Sequence, residues 1–431
     1  MRLGLGAKAC SAVQCATRGS RAGWNACGTC VRRLRPEVLG RERNGILLAP
    51  KGSPYNRPML TFFVAFAVSL AVTLFLVHAS KTSGHLSMDH ETSGPQKFHV
   101  HPVPRVGGIG IFAGLMVAVA SLWLTAPEAA KLASILLACG LPAFASGLLE
   151  DLTKRVSPAK RLMATAVAAA LAAGLLGAVI QRTDIPGLDW LVSLWAAALI
   201  LTVIAVAGIA NAVNIIDGFN GLASMCVVIM LAALAYVAFQ IGDVVIGTLA
   251  LAGIGAVLGF FLWNFPAGLI FLGDGGAYFL GFFVAELSIL LLVRNPEVSP
   301  LFPLLVCIYP VFETLFSIYR RRFLRAVPPS MPDGIHLHSL IYRRMLRWAV
   351  GDRSAKMLTR RNSMTSPVLW LLCMASVIPA VLFWDRSGLI ALFLGLFALS
   401  YIVLYWRIVR FRSPRWMRAL VTRPRPLKEL R

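Results

Sequence analysis

Apolar residues run along this chain in blocks of about twenty, separated by short polar stretches. A block of about 17–25 apolar residues, rising 1.5 Å per residue as a helix, is long enough to cross ~30 Å of hydrocarbon. Such blocks lie near 60–79, 106–125, 132–149, 162–180, 189–208, 222–240, 243–263, 268–293, 299–319, 367–384 and 387–406. The pattern predicts an all-α integral membrane protein of about eleven transmembrane helices. An odd number of spans would send the two ends of the chain to opposite sides.

The rest of the chain divides around those blocks. Residues 1–58 form a basic extension, 59–410 a polytopic membrane domain and 411–431 a basic tail. The extension has no apolar run before Ile46 and so lacks the core of a secretory signal. Met59 opens directly onto the first span, and this reading places a translation start there. Cys10, Cys15, Cys27 and Cys30 lie in the extension with spacing that is weak for a metal site. Cys139, Cys226, Cys307 and Cys373 lie singly within spans and read as small core residues.

Composition narrows the class further. Of 431 residues, 58% are apolar and 14% charged, whereas soluble domains carry about a quarter charged. That balance excludes an ordinary soluble enzyme, a disordered chain and, despite a net charge of +23, a nucleic-acid-binding module. In a membrane protein the basic residues report orientation, because Lys and Arg are retained on the cytoplasmic side. Twenty-seven of them fall in the odd-numbered connections and the tail, against four in the even-numbered connections. The odd-numbered loops and the C-terminus are therefore expected to face the cytoplasm. The 11 basic residues of 1–58 conflict with that arrangement.

Five polar clusters interrupt the apolar background, all on the side assigned to the cytoplasm. The first holds Lys97, His99, His101, Arg105, Gly107 and Gly108; the second Glu150, Asp151, Lys154 and Arg155. The third holds Asn211, Asn214, Asp217, Gly218, Asn220 and Gly221. The fourth runs from Asn264 and Pro266 to Phe271, Gly273, Asp274, Gly275 and Gly276, and the fifth holds His336, His338 and Ser339. Together they suit a metal-bound diphosphate. Carboxylates at Glu150, Asp151, Asp217 and Asp274 match Mg²⁺, which takes oxygen ligands and bridges substrate phosphates. Gly-rich turns bring backbone N–H groups close to anionic oxygens. Arg105, His336, His338, Arg343 and Arg344 can neutralise phosphate charge.

Taken singly, each cluster has a simpler explanation. Glu150 and Asp151 could merely end a span, and the histidines could be solvated. Asn211 and Asn214 could join helices by hydrogen bonds. Glu313 and Glu286 could be buried structural acids, although an intramembrane acid is a functional candidate by default.

The third and fourth clusters resemble the polyprenyl-phosphate N-acetylhexosamine-1-phosphate transferases of glycosyltransferase family 4, which include the phospho-N-acetylmuramoyl-pentapeptide transferases. The resemblance covers roughly residues 59 to 410. It rests on Asn-Ala-x-Asn-x-x-Asp-Gly-x-x-Gly-Leu-Ala at 211–223 and on Phe-Leu-Gly-Asp-Gly-Gly at 271–276. It implies transfer of a sugar-1-phosphate from a UDP-N-acetyl sugar to a polyprenyl phosphate, with release of UMP. Mg²⁺ (with Mn²⁺ as a substitute) is the implied cofactor, and a bacterial inner membrane with a cytoplasmic active face the implied location. The implied product initiates a surface polysaccharide such as O-antigen, capsule or exopolysaccharide. A homodimer is compatible with the resemblance, and no nucleic-acid partner is expected.

By the same resemblance Glu150 and Asp151 stand at the family's paired acids, one expected to bind or deprotonate the lipid phosphate and the other to support the metal site. Asp274 stands at the principal metal ligand, with Asp217 lining the same site. His336 and His338 match a diphosphate-contacting motif. Phe271 and Asn264, with Asn214 and Asn220, are expected around the nucleotide; Lys97, His99 and Arg105 are expected to bind phosphate. Three positions depart from the family pattern: Glu150 for Asp, Asn220 for Asp and Ser339 for a further His. The Pro-Arg-x-Gly-Gly loop and the shortened histidine motif favour the amino-sugar branch over the muramoyl-pentapeptide branch. Direct attack by the lipid phosphate and a two-step route through a carboxyl-phosphate intermediate both remain open. A competing class is a secondary transporter for an anionic solute, but transporters place ionisable sites near the midplane within repeated halves, and the sequence shows no internal repeat.

Overall fold

In the computed structural model, residues 56–83, 103–324, 335–345 and 355–410 are described. Lys97, His99, His101, the four N-terminal cysteines, nearly all of the 1–58 extension and the 411–431 tail lie outside these residues. The apolar blocks are helical, and among the described residues ten helices are long and apolar enough to cross a membrane. In chain order the helices begin with α1 (Asn56–Ser83), α2 (Gly107–Thr125), α3 (Pro127–Thr153), α4 (Pro158–Leu176) and a short α5 (Leu188–Val192). They continue with α6 (Trp195–Ile216), α7 (Leu222–Gln240), α8 (Val244–Asn264) and α9 (Gly273–Arg294). The remainder are α10 (Phe302–Val306), α11 (Ile308–Tyr319), α12 (Leu337–Leu340), α13 (Ala355–Leu382) and α14 (Ser387–Val409).

The expected span at 189–208 divides into the short α5 and a longer α6 that runs on to Ile216, and the expected span at 299–319 differs more. It is two pieces, α10 and α11, broken at Cys307 and followed by a π-helical turn at Arg320–Leu324. Pro303 lies in the first turn of α10, where a ring costs no hydrogen bond, whereas Pro310 has no N–H to offer the Val306 carbonyl, so one continuous helix would lose that bond there. The expected span at 367–384 also begins earlier than its apolar block, because the helix starts at Ala355 and includes the polar stretch Arg360–Ser366.

Local sequence sets the helix ends near the site. Pro127 opens α3 with Glu128 in its first turn, where a fixed φ and a negative charge both suit an N-terminus. Lys154 adopts φ +57° and ends α3. Three residues later Ser157 caps α4, its Oγ accepting from the Lys160 N–H, with Pro158 at the first turn. The α3–α4 connection is therefore a tight turn.

Helix α9 is the centre of the bundle: every residue from Gly275 to Leu291 is buried. It packs against α3 and α6, with α2, α4 and α7 completing the surround. Small residues allow the close approach, as expected where lipid gives no hydrophobic drive between helices. A Cβ on Gly147 would lie 2.5 Å from the backbone of Asp274 and Gly275, and one on Gly108 2.5 Å from Gly276. These contacts bring α2 and α3 against the first turn of α9, where the polar residues converge.

Candidate active site

The first turn of α9 is held by a side chain from another helix. Asp151, near the end of α3, accepts the Asp274 N–H at 2.9 Å on Oδ1 and the Gly275 N–H at 2.9 Å on Oδ2. A carboxylate on two unpaired N–H groups at a helix start satisfies those donors and meets the positive end of the helix dipole. Gly273, at φ +76°, lets the chain enter this turn beneath Arg105.

Asp274 itself points into a nest of donors. Its Oδ1 accepts from Asn214 Nδ2 at 2.9 Å and lies 3.6 Å from the Arg105 guanidinium. Its Oδ2 pairs with Arg161, from the first turn of α4. Arg105 also reaches Asp151, at 3.9 Å. Arg161 lies over the ring of Tyr278, whose hydroxyl donates to Asn211 Oδ1 at 3.1 Å. Two arginines and two aspartates thus meet at one end of the bundle.

Asp217 completes the cluster from the end of α6. Burial pushes its carboxyl up to about 7, with Arg105 acting against that rise and Asp151 adding to it. Although its surface is partly exposed, it is closely ringed by protein, and loss of hydration disfavours the charged form.

The histidines lie beside the turn that follows Asp217. His336 and His338 stack with ring centroids 5.2 Å apart. A Cβ on Gly218 would meet His338 Nε2 at 3.2 Å, which places His338 beside the Asp217–Gly218 turn. Phe219 packs edge-on to His338, with centroids 5.4 Å apart, and also touches Tyr342.

Other positions singled out in the sequence lie elsewhere or serve the loops. Glu150 closes the α3–α4 turn, its Oε2 accepting from the Val156 N–H at 2.7 Å. Asn264 spans two loops: Oδ1 accepts from the Gly221 N–H at 2.6 Å and Nδ2 donates to the Ile270 carbonyl at 2.7 Å. Asn220 is buried and joined to α13. Its N–H donates to Asn362 at 2.9 Å, its carbonyl accepts from Ser366 at 2.6 Å, and its amide donates to the Pro266 carbonyl at 3.2 Å. Phe271 holds the 103–106 loop through its backbone, donating to the Pro104 carbonyl and accepting from the Gly107 N–H. Arg344 donates to the Ile408 carbonyl at the end of α14.

Arg161 is the residue that sequence reading passed over. It was one basic residue in a basic loop. Its signal is position, because the Ser157–Pro158 start puts it in the first turn of a helix that begins beside the paired acids.

Among the described residues, no group of three or more His, Cys, Asp or Glu is spaced to hold a metal ion. A divalent ion of the Mg²⁺ kind needs fewer: one or two carboxylates with waters and substrate phosphates. Asp274 and Asp217 supply hard oxygens of the kind such an ion takes. The donor set fits such an ion.

Residues 133–292 match the family model described as Glycosyl transferase family 4. The chain is 30% identical over 284 residues to a Bacillus subtilis (strain 168) protein named "Probable undecaprenyl-phosphate N-acetylglucosaminyl 1-phosphate transferase", covering 65% of this chain and 77% of that one. It is 27% identical over 379 residues to the undecaprenyl-phosphate alpha-N-acetylglucosaminyl 1-phosphate transferase of Haemophilus influenzae, covering 86% of this chain and 100% of the relative. It is also 30% identical over 253 residues to the phospho-N-acetylmuramoyl-pentapeptide-transferase of Geobacillus kaustophilus, covering 54% of this chain and 76% of that one.

Proposed function

We propose, starting from a chain that belongs to glycosyl transferase family 4, that it transfers N-acetylglucosamine-1-phosphate, or a related N-acetylhexosamine-1-phosphate, from a UDP-sugar to undecaprenyl phosphate. UMP is released, and the lipid-linked sugar initiates a surface polysaccharide. The observation that carries the reading is the Asp274 carboxylate at the head of the buried helix α9, ringed by Asn214, Arg105 and Arg161. Such a charge cluster at one end of an apolar bundle suits a diphosphate presented from water to a phosphate anchored in lipid. The relatives named for N-acetylglucosaminyl transfer include the two with the widest coverage of this chain among those described. They favour the amino sugar over the muramoyl-pentapeptide. Placement in the bacterial inner membrane, with this end facing the cytoplasm, follows the basic residues that gather there.

In this reading a lipid phosphate oxygen attacks the sugar-linked phosphorus. The bond from that phosphorus to the bridging oxygen breaks, and UMP leaves with the oxygen. Charge accumulates on the phosphoryl oxygens, so positioning and electrostatic stabilisation supply most of the acceleration. Arg105 and Arg161 are placed to hold the diphosphate. Asp151 keeps the α9 turn rigid, since both of its oxygens are engaged there. A phosphate monoester has its second pKa near 6, so little proton removal is needed at neutral pH. Asp274 and Asp217 would hold Mg²⁺, which when bound neutralises phosphate charge and stabilises the leaving UMP.

The test is release of UMP from UDP-N-acetylglucosamine by the detergent-solubilised protein with undecaprenyl phosphate and Mg²⁺. UDP-N-acetylmuramoyl-pentapeptide runs in parallel. Lipid-dependent UMP release from the amino sugar is expected. Release from the pentapeptide donor alone would move the chain to the other branch, and no release from either would overturn the reading.

A further inference from the structure

Glu313 of α11 lies in the bundle away from the aspartates and is fully buried. Its Oε1 accepts from the Leu337 N–H at 3.0 Å and faces His336 Nδ1 at 3.0 Å. Its Oε2 accepts from the Tyr401 hydroxyl of α14 at 2.6 Å. One acid therefore grips both the ring and the backbone of the histidine segment, and a phenol stops the carboxylate from turning. The segment is fastened a second time by Arg320, which donates to the Ile335 carbonyl and to the Tyr405 hydroxyl, each at 2.5 Å. His336 stacks on His338, and His338 abuts Gly218 next to Asp217. A continuous set of contacts leads from Tyr401 through Glu313 to the site.

We propose that Glu313 is a positioning residue that fixes His336 with its proton on Nδ1, so that any chemistry done by His336 passes through Nε2. The physical reason is that an ionised carboxylate accepts hydrogen bonds and donates none. A nitrogen 3.0 Å away must then carry the hydrogen, and the partner of one ring nitrogen sets what the other does. The inference rests on the transferase reading above, together with the expectation that His336 and His338 contact the diphosphate.

Two measurements on the full chain test it. In ¹⁵N-histidine spectra in detergent, with the His336 signal assigned by its loss in His336→Ala, the wild-type Nδ1 is expected to be protonated. In Glu313→Ala the proton is expected to redistribute between the two nitrogens. A bare Nδ1 in the wild type, or an unchanged ring in Glu313→Ala, would overturn the proposal without reference to activity. In the UMP-release assay, Glu313→Ala is expected to lose about 10- to 100-fold in kcat, the usual effect of removing a carboxylate that orients a histidine ligand. Glu313→Gln, which keeps the acceptor without the charge, is expected to lose less, about 3- to 10-fold, because an ionised acceptor roughly doubles the strength of a hydrogen bond. Either change made in the His336→Ala background is expected to add almost nothing, since groups acting as a unit are not additive. An equal fold-loss in both backgrounds would mean that Glu313 only supports the fold and would sink the idea. If Glu313→Ala is not recovered folded, Glu313→Gln is judged by the same spectra and the same comparison. A wild type that releases no UMP would instead overturn the transferase reading, leaving the spectral result to stand or fall alone.

Discussion

Asp274 carries the most concentrated chemistry in the molecule. Its two oxygens meet Asn214, Arg105 and Arg161, so a neutral side chain of the same shape keeps the packing and removes the charge. Asp274→Asn is expected to lower UMP release by about 10²- to 10³-fold, the scale of losing one preorganised electrostatic group, with membrane-inserted protein recovered at normal yield. Unimpaired turnover would remove Asp274 from the site. Asp217 gives a dependence on pH. Its carboxyl titrates near 7, well above the ordinary range, because burial disfavours the charge. The folded state therefore holds that proton more tightly than the unfolded one, and stability of the metal-free protein falls as pH rises from about 4 toward 7. A cation needs the ionised form, so Mg²⁺ affinity is expected to strengthen with pH up to about 7 and then level off. Calorimetric titration of Mg²⁺ between pH 6 and 8 checks this, and Asp217→Asn should flatten the profile.

Elements meet the site through close contacts and one borrowed cap. Gly147 of α3 lies against the Asp274–Gly275 backbone, and a methyl group there must push α3 from α9. Gly147→Ala is therefore expected to cost about 1–3 kcal/mol of stability through overpacking, read as a lower thermal midpoint in detergent. It should also reduce activity, because Asp151 would no longer reach both N–H groups. Farther along α9, Glu286 is fully buried, and neither of its oxygens has a hydrogen-bond partner among the described residues. An unmet buried polar group costs about 1–3 kcal/mol. Glu286→Leu should thus raise the melting midpoint while UMP release is retained; a lower midpoint would show that the acid has a role in the bundle.

At the scale of the whole molecule, the alternation of long helices gathers the ends of α3, α6, α8 and α11 with the starts of α4, α7, α9 and α13 at one face. Ser157, before α4, and Ser193, after α5, are both exposed at opposite ends. Cysteines placed there are expected to react with a membrane-impermeant maleimide from opposite sides: Ser157→Cys from the cytoplasm and Ser193→Cys from outside, above the background of the parent chain. Labelling of both from one side would refute the topology drawn from the basic residues.

The linear sequence was enough to establish an all-helical membrane bundle, since apolar length alone fixes which segments can cross hydrocarbon. It also marked Asp217, Asp274, Asn214 and Arg105 as polar residues too costly to sit in an apolar chain without purpose. Helix boundaries at α10, α11 and α13 were not legible, because hydropathy averages over the proline that breaks one span and over the polar turn that extends another. Nor could spacing distinguish Asp151 from Glu150, neighbours that project in different directions from the last turn of α3. One caps α9, and the other closes its own loop. Arg161 and Glu313 became meaningful only when α4 was seen beside Asp274 and α11 beside His336, for ion pairs and hydrogen bonds act over a few ångströms that chain distance does not encode.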